Sequence, residues 1–401
     1  MPSELAGHWT LDPAVTFLNH GSFGATPRPV LEAQSAWRER MEREPVAFFA
    51  GDLEEALDGA RARLATFVGA DPDDLAFVTN ATTAINIVAR SLNLAPGDEI
   101  VVLDHAYNAA RNTLADAAEA TGAVIIDARI PFPGTSESDP LDSILAAVTP
   151  RTRLVMVDHV TSPTSLLLPV AEIVAALAER GIDALVDGAH APGMVELDVD
   201  RIGAAYYAAN CHKWLCAPKG SAFLHVRRDR QDRVRPIVIS HGANSPRTER
   251  SRFRLEHDWT GTLDPSPWLA VPAAIDFGAA LVPGGWPALR ARGHELAIAG
   301  RDLVLTAVGG PVPAPDAMVT AMVSVPIPHP VAGPPAVNAI DDELATALLA
   351  EGIRVAIVPW PREPAPGSWQ RLVRISAAPY VGIDDLERLA HVLRGLAGHT
   401  S

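Results

Sequence analysis

Short apolar runs rich in β-branched residues alternate with longer, helix-like segments through the middle of this chain. The predicted strands lie at residues 75–78, 99–103, 123–126, 153–157, 184–186, 205–208 and 221–225. This order predicts an α/β fold with a mostly parallel sheet covered by helices. Because the runs are nearly continuous in apolar residues, we expect both faces of the sheet to be buried.

The last third of the chain differs in composition from the middle. Pro- and Gly-rich connections occupy residues 309–315 and 326–336. The other predicted elements are a helix at 341–351, strands at 354–358 and 372–376, and a helix at 384–396. A chain of 401 residues exceeds the size at which one core stops growing. We therefore expect a large domain at 20–282 and a smaller α/β domain formed by 1–19 and 283–401.

Composition and charge exclude several kinds of partner. The formal net charge is -15, and acidic and basic residues are interleaved, so we expect neither nucleic acid nor an anionic membrane as partner. No apolar run approaches the roughly eighteen residues of a spanning helix, and the first residues have no signal core. Two cysteines, Cys211 and Cys216, are too few for a disulfide framework, which predicts a cytoplasmic protein.

Lysine is almost absent from the chain. Among 33 residues of Lys and Arg, only Lys213 and Lys219 are lysines. A desolvated lysine amine can lose its proton and form a Schiff base with a carbonyl, whereas arginine stays charged. Schiff-base chemistry is therefore the first hypothesis for this segment. The alternative is an arginine-favouring coding bias in which two lysines survive by chance.

Polar residues follow the predicted strands at the points where they end. In open parallel sheets these carboxyl ends share one edge, where ligands bind. Residues 79–86 combine hydroxyl groups with the start of a helix, which indicates either a phosphate cradle or an ordinary helix cap. Tyr107 offers a ring that can stack on a planar ligand, and residues 158–164 offer hydroxyls and an imidazole.

Asp187 and Lys213 are the most informative of these residues. Asp187 follows a strand that should be buried, so its carboxylate needs a partner, and a protonated pyridine nitrogen would supply one. A structural Asp that caps the next turn is the alternative. His212, beside Lys213, can donate to a phosphate. Metal catalysis is disfavoured, because the histidines at the strand ends form no tight pair such as His-Glu-x-x-His.

In this chain order, a phosphate cradle, an aromatic ring, a buried Asp and a Lys after His resemble the class V aminotransferase family of fold-type I pyridoxal phosphate enzymes. Within that family the chain is most similar to the branch of isopenicillin N epimerase and its relatives. The resemblance covers nearly the whole chain and rests on residues 17–24, 79–83, 186–190, 212–214, 259–265 and 374–376. It implies the fold-type I architecture and a homodimer.

The resemblance also implies a role for each site residue. Lys213 would bind pyridoxal phosphate as a Schiff base and move the proton at Cα of an amino-acid substrate, while Asp187 keeps the ring nitrogen protonated. The other implied cofactor contacts are Tyr107 on the ring, His190 near the ring hydroxyl with Thr161 or Ser162, Ala81, Thr82 and His212 on the phosphate, and Thr262 from the neighbouring subunit. The implied substrate contacts are Arg374 at the carboxylate and Asn19 and His20 at the pocket border.

One departure from the family bears on the reaction. Members that take sulfur from cysteine use a nucleophilic Cys on a loop late in the chain, and this sequence has no Cys after Cys216. A persulfide-forming desulfurase is therefore not expected, unless Cys211 or Cys216 reaches the substrate.

Two kinds of catalysis remain open. The first is epimerisation or racemisation, with Lys213 on one face of Cα and a second acid on the other, for which Tyr107, His105 and His241 are candidates. The second is β-elimination from a cysteine conjugate or sulfoxide, a C–S lyase reaction that needs Lys213 but no catalytic Cys. Transamination is a variant of the same chemistry.

A third hypothesis, from a different functional class, is a non-catalytic protein that keeps the fold for binding or assembly. The complete set of Lys213, Asp187 and Arg374 argues against it. The identity of the substrate side chain is open, and residues 240–244 and 357–366 are expected to line that part of the pocket.

Overall fold

The computed structural model describes residues 3–134, 139–327, 342–362 and 370–398. Its strands are β1 (Thr16–Phe17), β2 (Leu75–Val78), β3 (Glu99–Leu103), β4 (Val124–Ala128), β5 (Thr152–Asp158), β6 (Asp183–Asp187), β7 (Tyr206–Asn210), β8 (Ala222–Val226), β9 (Met322–Ile327), β10 (Ile353–Arg354), β11 (Ala356–Trp360) and β12 (Gln370–Ser376). Its helices are α1 (His20–Phe23), α2 (Arg28–Arg43), α3 (Pro45–Ala47), α4 (Leu53–Val68), α5 (Ala81–Ser91), α6 (Asn108–Thr121), α7 (Pro140–Ala147), α8 (Val170–Ala178), α9 (Val199–Ile202), α10 (Arg252–His257), α11 (Ser266–Leu269), α12 (Val271–Leu281), α13 (Gly285–Val308), α14 (Glu343–Ala350) and α15 (Ile383–Gly398).

The central sheet has seven strands in the order β2-β8-β7-β6-β5-β3-β4. Strand β8 runs antiparallel to both of its neighbours, and the other six strands run in one direction. The mostly parallel sheet is therefore confirmed, and each predicted strand is present with ends within two residues. The antiparallel direction of β8 was not predicted. The connection from β7 to β8 contains no helix and is too short for the crossover that a parallel pair needs.

Burial follows strand position in the sheet. The apolar residues of β3 and β5 are fully buried, because helices cover both faces. Strand β4 lies at the edge, and its Val124 is 47% exposed. The prediction that both faces of the sheet are buried is therefore confirmed for the inner strands and is wrong for the edge strand β4.

The C-terminal part of the chain forms a second layer system. Strands β11, β12 and β9 make an antiparallel sheet, and the long helix α13 packs against β9 and α15. Strand β1 pairs in parallel with β10, so the N-terminal segment joins this region. Two separate apolar cores follow this arrangement, one around the large sheet and one around the small sheet. The domain boundaries themselves, 20–282 against 1–19 and 283–401, remain a prediction.

Three sequence-based expectations for the C-terminal region need correction. Strand β9 was not predicted. Pro326, which was expected to begin a connection, lies within this strand. Pro326 is tolerated because β9 is an edge strand, where a missing N–H breaks no ladder on the open side. The strand expected at 354–358 is divided between β10 and β11. Residues 328–336 of the expected connection and residue 341 of the expected helix lie outside the described residues.

No single described helix is long and apolar enough to cross a membrane. The helices from Ser266–Leu281 and Gly285–Val308 reach that length and apolarity only as a pair, and they are bent by 72°.

Candidate active site

The carboxyl ends of β2, β3, β5, β6 and β7 meet at one edge of the sheet, and a cavity of about 280 Å³ lies there. Eight of the predicted site residues line it. The lining comprises Ser22, Phe23, Asn80, Ala81, Thr82, Tyr107, Asp158, Val160, Ser162, Asp187, Ala189, His190, Asn210, His212 and Lys213. The parallel topology therefore brings together side chains that are more than a hundred residues apart in sequence.

The amine of Lys213 projects into this cavity from a half-buried side chain. Its Nζ lies 3.3 Å from Nε2 of His190. Burial first, and then the charge of Arg374, lower the pKa of Lys213 to about 8. A lowered pKa increases the share of uncharged, nucleophilic amine near neutral pH, which is the state that attacks a carbonyl.

His20 holds the backbone of the lysine rather than bordering the cavity. It is fully buried, its Nε2 lies 3.0 Å from the carbonyl oxygen of Lys213, and its Nδ1 lies 2.9 Å from the hydroxyl of Tyr380. Burial lowers the pKa of His20 to about 4, so the neutral ring donates from Nε2 to the carbonyl and accepts at Nδ1. His20 therefore lies outside the cavity lining, and it ties the lysine segment to the small sheet region.

Gly24 allows the same N-terminal segment to approach the lysine. It has a φ of 72°, and an added Cβ would lie 2.0 Å from the carbonyl oxygen of His212. Only glycine fits this left-handed conformation at such a close contact.

Asp187 and Asp158 form a buried pair of carboxyl groups. They lie opposite each other on β6 and β5, and the N–H of Ala189 donates to Oδ1 of Asp187 at 3.0 Å. Oδ2 of Asp158 is buried and has no hydrogen-bond partner among the described residues. Burial raises the pKa of both groups, and the charge of Asp187 raises the pKa of Asp158 further. Two such groups favour a shared proton or a cation between them.

The start of α5 forms another wall of the cavity. Asn80 caps the helix by accepting from the N–H of Thr83 at 2.8 Å, and the N–H of Ala81 donates to Oδ1 of Asn210 at 2.8 Å. Capping thus does account for the polar residues at this turn. The helix N-terminus still faces the cavity with Thr82, where its partial positive charge favours an anion.

His212 faces the same wall. Its Nδ1 donates to the carbonyl oxygen of Ser221 at 2.9 Å, which leaves Nε2 for a ligand. Burial lowers the pKa of His212 to about 4. A bound phosphate would raise this pKa, because an opposite charge favours the protonated ring.

Arg374 lies directly behind two lining residues. Its Nη1 donates to the carbonyl oxygen of Ser162 and its Nη2 to Oγ of Ser22, both at 2.8 Å. Ser22 in turn donates to Oδ1 of Asn19 at 2.6 Å, so Asn19 orients the serine and does not line the cavity. Nε of Arg374 is buried without a partner among the described residues. A buried guanidinium with spare donor capacity suits a carboxylate.

Two predicted cofactor residues are not part of the cavity in this chain. The hydroxyl of Thr161 is used within its own turn, where it lies 2.7 Å from that of Thr164 and accepts from the N–H of Leu166. Of the pair Thr161 and Ser162, only Ser162 lines the cavity. Thr262 is exposed and is not among the lining residues.

Two of the three candidates for a second acid are also placed elsewhere. His105 is fully buried, and its ring nitrogens contact the hydroxyl of Thr164 at 2.6 Å and the carbonyl oxygen of Ile130 at 2.8 Å. His241 lines a separate cavity of about 370 Å³. Tyr107 is the candidate that lines the site cavity, and its side chain is half-exposed.

The described parts of the segments expected to receive the substrate side chain do not line the cavity either. His241 and Gly242 belong to the separate cavity. In the described part of 357–366, Arg362 donates to Oδ1 of Asn108 at 2.7 Å and to the carbonyl oxygen of Ala106, so it braces the segment around Tyr107. Residues 363–366 lie outside the described residues.

Sequence reasoning gave no role to Asn210, Ser22 or the carboxyl group of Asp158. Two of these three residues, Asn210 and Asp158, carried a usable signal, and Ser22 did not. Asn210 and Asp158 are polar residues at the last position of strands that are mostly apolar and buried. Ser22 lies on α1, three residues after Asn19, and its contact with Arg374 joins residues far apart in sequence, which no local pattern reveals.

Comparison with known proteins gives the family. The model of the class V aminotransferases matches residues 22–389. Isopenicillin N epimerase of Streptomyces clavuligerus is 36% identical over 409 aligned residues, which cover 98% of each chain. A probable chloroplastic L-cysteine desulfhydrase of Arabidopsis thaliana is 30% identical, over 98% of this chain and 85% of the relative. The chain therefore belongs to the class V aminotransferase family, and it is a pyridoxal phosphate-dependent enzyme of that family.

A solved structure supports the architecture. The cysteine desulfurase CsdA of Escherichia coli superposes with a TM-score of 0.79 at 20% sequence identity, covering 99% of this chain and 98% of its own. At this identity the likeness establishes the fold alone. It confirms the fold-type I architecture that the sequence predicted.

Asp158→Asn should stabilise the cofactor-free protein near neutral pH. Because the pKa of Asp158 is raised in the folded state, its stabilising contribution is present below the unfolded-state pKa of about 3.9 and is lost as the pH rises through the folded-state pKa. The amide that replaces the carboxyl group in the variant has no charge to gain, so its folded state does not lose this stability as the pH rises. Its melting temperature should exceed that of the wild type by about 2 °C or more at neutral pH, with the gain vanishing near pH 4.

The matched control is Asp116→Asn on the exposed face of α6, which should leave the melting temperature nearly unchanged at every pH. A lower melting temperature for Asp158→Asn at neutral pH would show instead that Asp158 is charged and well paired in the folded state.

Proposed function

We propose that this chain binds pyridoxal phosphate through Lys213 and epimerises or racemises an α-amino acid at Cα. The observation that carries the proposal is the desolvated amine of Lys213 in a cavity that also contains the Asp187 carboxyl group, a helix N-terminus and Tyr107. Isopenicillin N epimerase, similar to this chain over nearly its whole length, supports the choice of reaction.

The residues present fit this cofactor. Asp187 would hold a protonated ring nitrogen, and the positive charge of that nitrogen would also compensate the adjacent carboxyl group of Asp158, whose Oδ2 has no partner among the described residues. A phosphate would bind at the α5 N-terminus with Thr82 and His212. The ring hydroxyl would meet His190. The cavity thus offers a complementary group for the ring nitrogen, the ring hydroxyl and the phosphate of this cofactor.

When bound, the cofactor would act as an electron sink for the bond pair released at Cα. Lys213 would remove the Cα proton, since its lowered pKa suits a general base near neutral pH. Arg374 would bind the substrate carboxylate and thereby orient Cα towards Lys213. His20 would keep the lysine backbone in place through its carbonyl contact.

Inversion needs a second group that returns a proton to the opposite face of Cα. Tyr107 is the cavity-lining candidate, since His105 is buried with both ring nitrogens in contact and His241 lies in another cavity of this chain. We therefore assign Tyr107 both the contact with the cofactor ring and the transfer of this proton.

A second candidate is a C–S lyase that eliminates the β-substituent of a cysteine derivative. Lys213 suffices as its base, and relatives named as L-cysteine desulfhydrases support it. A persulfide-forming desulfurase is not supported by the geometry. Cys211 and Cys216 are both buried, and burial raises the pKa of Cys216 to about 12, which suppresses its nucleophilic thiolate.

A second copy of the chain would complete the site with Thr262. Exposed apolar side chains support a dimer: Ile237, Val238 and Ile239 form an exposed run, and Val46 is 72% exposed. Exposed apolar patches of this kind mark protein interfaces.

Light scattering of the purified protein should give about twice the mass of one chain. A monomeric mass together with full activity would remove Thr262 from the site.

The reaction is tested by incubating the enzyme with α-amino acids and cysteine derivatives in deuterated water. Epimerisation predicts deuterium at Cα and loss of optical rotation without release of pyruvate. Tyr107→Phe should slow inversion by about 100-fold or more while exchange on the Lys213 face continues. Tyr206→Phe, a buried tyrosine outside the cavity, is the matched control and should retain inversion.

Other outcomes separate the alternatives. Pyruvate formed as fast as deuterium enters Cα would establish the C–S lyase as the main activity. Inversion that survives Tyr107→Phe would show that another group returns the proton. Absence of exchange with every compound would contradict both reactions.

A further inference from the structure

We propose that Trp214 is a positioning residue that fixes the tautomer of His190, so that the imidazole presents an N–H to the Lys213 amine and to the ligand in the cavity. The part about the ligand rests on the proposed function; the part about the tautomer does not. Trp214 follows the lysine directly, and no role for it is predicted from the sequence.

The indole of Trp214 determines the direction of one hydrogen bond. Its Nε1 lies 3.3 Å from Nδ1 of His190. An indole N–H can only donate, so Nδ1 of His190 must accept and carry no proton. The remaining ring proton of a neutral His190 is then on Nε2.

His190 is neutral in this setting. Its side chain is buried, and burial together with the positive charges of Lys213, Arg374 and His20 holds its pKa well below the usual range. The Nε2–H therefore points to Nζ of Lys213 at 3.3 Å. A protonated lysine amine has no lone pair to accept this bond. The chain of contacts from Trp214 through His190 thus favours the uncharged, nucleophilic amine.

The surrounding packing keeps Trp214 in the position to donate. Its side chain is buried, and its ring lies 5.1 Å from that of His20. The backbone of Gly193 also packs closely against the backbone of Trp214. A Cβ added to Gly193, which has a φ of 89°, would lie 2.4 Å from the carbonyl oxygen of Trp214. The segments at 190–193 and 213–215 therefore fix each other, and the indole has little freedom to turn away.

A purely structural role is the competing explanation, since Trp214 also belongs to the apolar core of the small sheet region. The two explanations differ in what they predict for His190. A core residue supplies volume, and its loss would affect stability without dictating which ring nitrogen carries the proton. A tautomer-fixing residue acts through Nδ1 alone.

The tautomer can be measured on the cofactor-free protein by nitrogen-15 NMR of labelled histidine, with the His190 signals assigned by their loss in His190→Gln. The wild type should show a protonated Nε2 and an unprotonated Nδ1. Trp214→Phe should shift His190 towards a mixture of tautomers. Trp286→Phe removes an indole N–H that donates to the Ile275 carbonyl elsewhere and should leave the His190 signals unchanged.

A second measurement uses the dissociation constant of pyridoxal phosphate. Trp214→Phe should weaken binding by about 10-fold, the effect of one hydrogen bond to a charged group. In the His190→Gln background, where the amide donates from the position of Nε2 without help, the same substitution should change binding less than about 2-fold.

Equal weakening in both backgrounds, or an unchanged His190 tautomer in Trp214→Phe, would overturn the proposal. If the wild type binds no pyridoxal phosphate, the proposed function fails. The tautomer measurement still decides the role of Trp214, because it uses the cofactor-free protein.

Discussion

The structure depends on the burial of one amine. Removing Lys213 from water disfavours its charged form, and the nearby Arg374 adds to the effect. The surrounding residues maintain this state: His20 holds the lysine backbone, Gly24 lets the N-terminal segment close over it, and His190 directs a donor at the amine. A desolvated, oriented lysine with a lowered pKa at a sheet edge has an evident use in carbonyl chemistry and little use in structural support.

Charges in the cavity are arranged as complements to a ligand. Asp158 and Asp187 lie together on adjacent strands with raised pKa values. Lys213 in the cavity and Arg374 behind its wall have lowered pKa values. Burial shifts the pKa of each group in the direction that disfavours its charged form. A bound molecule that brings a cationic nitrogen to the acids and anionic groups to the bases would relieve both, which links cofactor and substrate binding to stability.

Much of the fold was readable from sequence because buried strands leave long apolar runs between helix-like segments. The direction of β8 was missed because it depends on the length of a connection, and β9 was missed because Pro326 is tolerated only at an edge. At the site, strand ends predicted Lys213, Asp187 and Tyr107 as cavity residues. The contacts of His20, Ser22 and Trp214 join distant segments, and single-sequence patterns carry no information on such pairs.

The central claim is that the amine of Lys213 carries the cofactor, and borohydride reduction tests it most directly. The purified protein would be mixed with pyridoxal phosphate, reduced and mapped by peptide mass spectrometry, beside the Lys213→Ala variant. We predict a visible absorption band in the wild type that the variant lacks, and a reduced adduct on the peptide that contains Lys213. An adduct on Lys219, or no band with the wild type, would contradict the account.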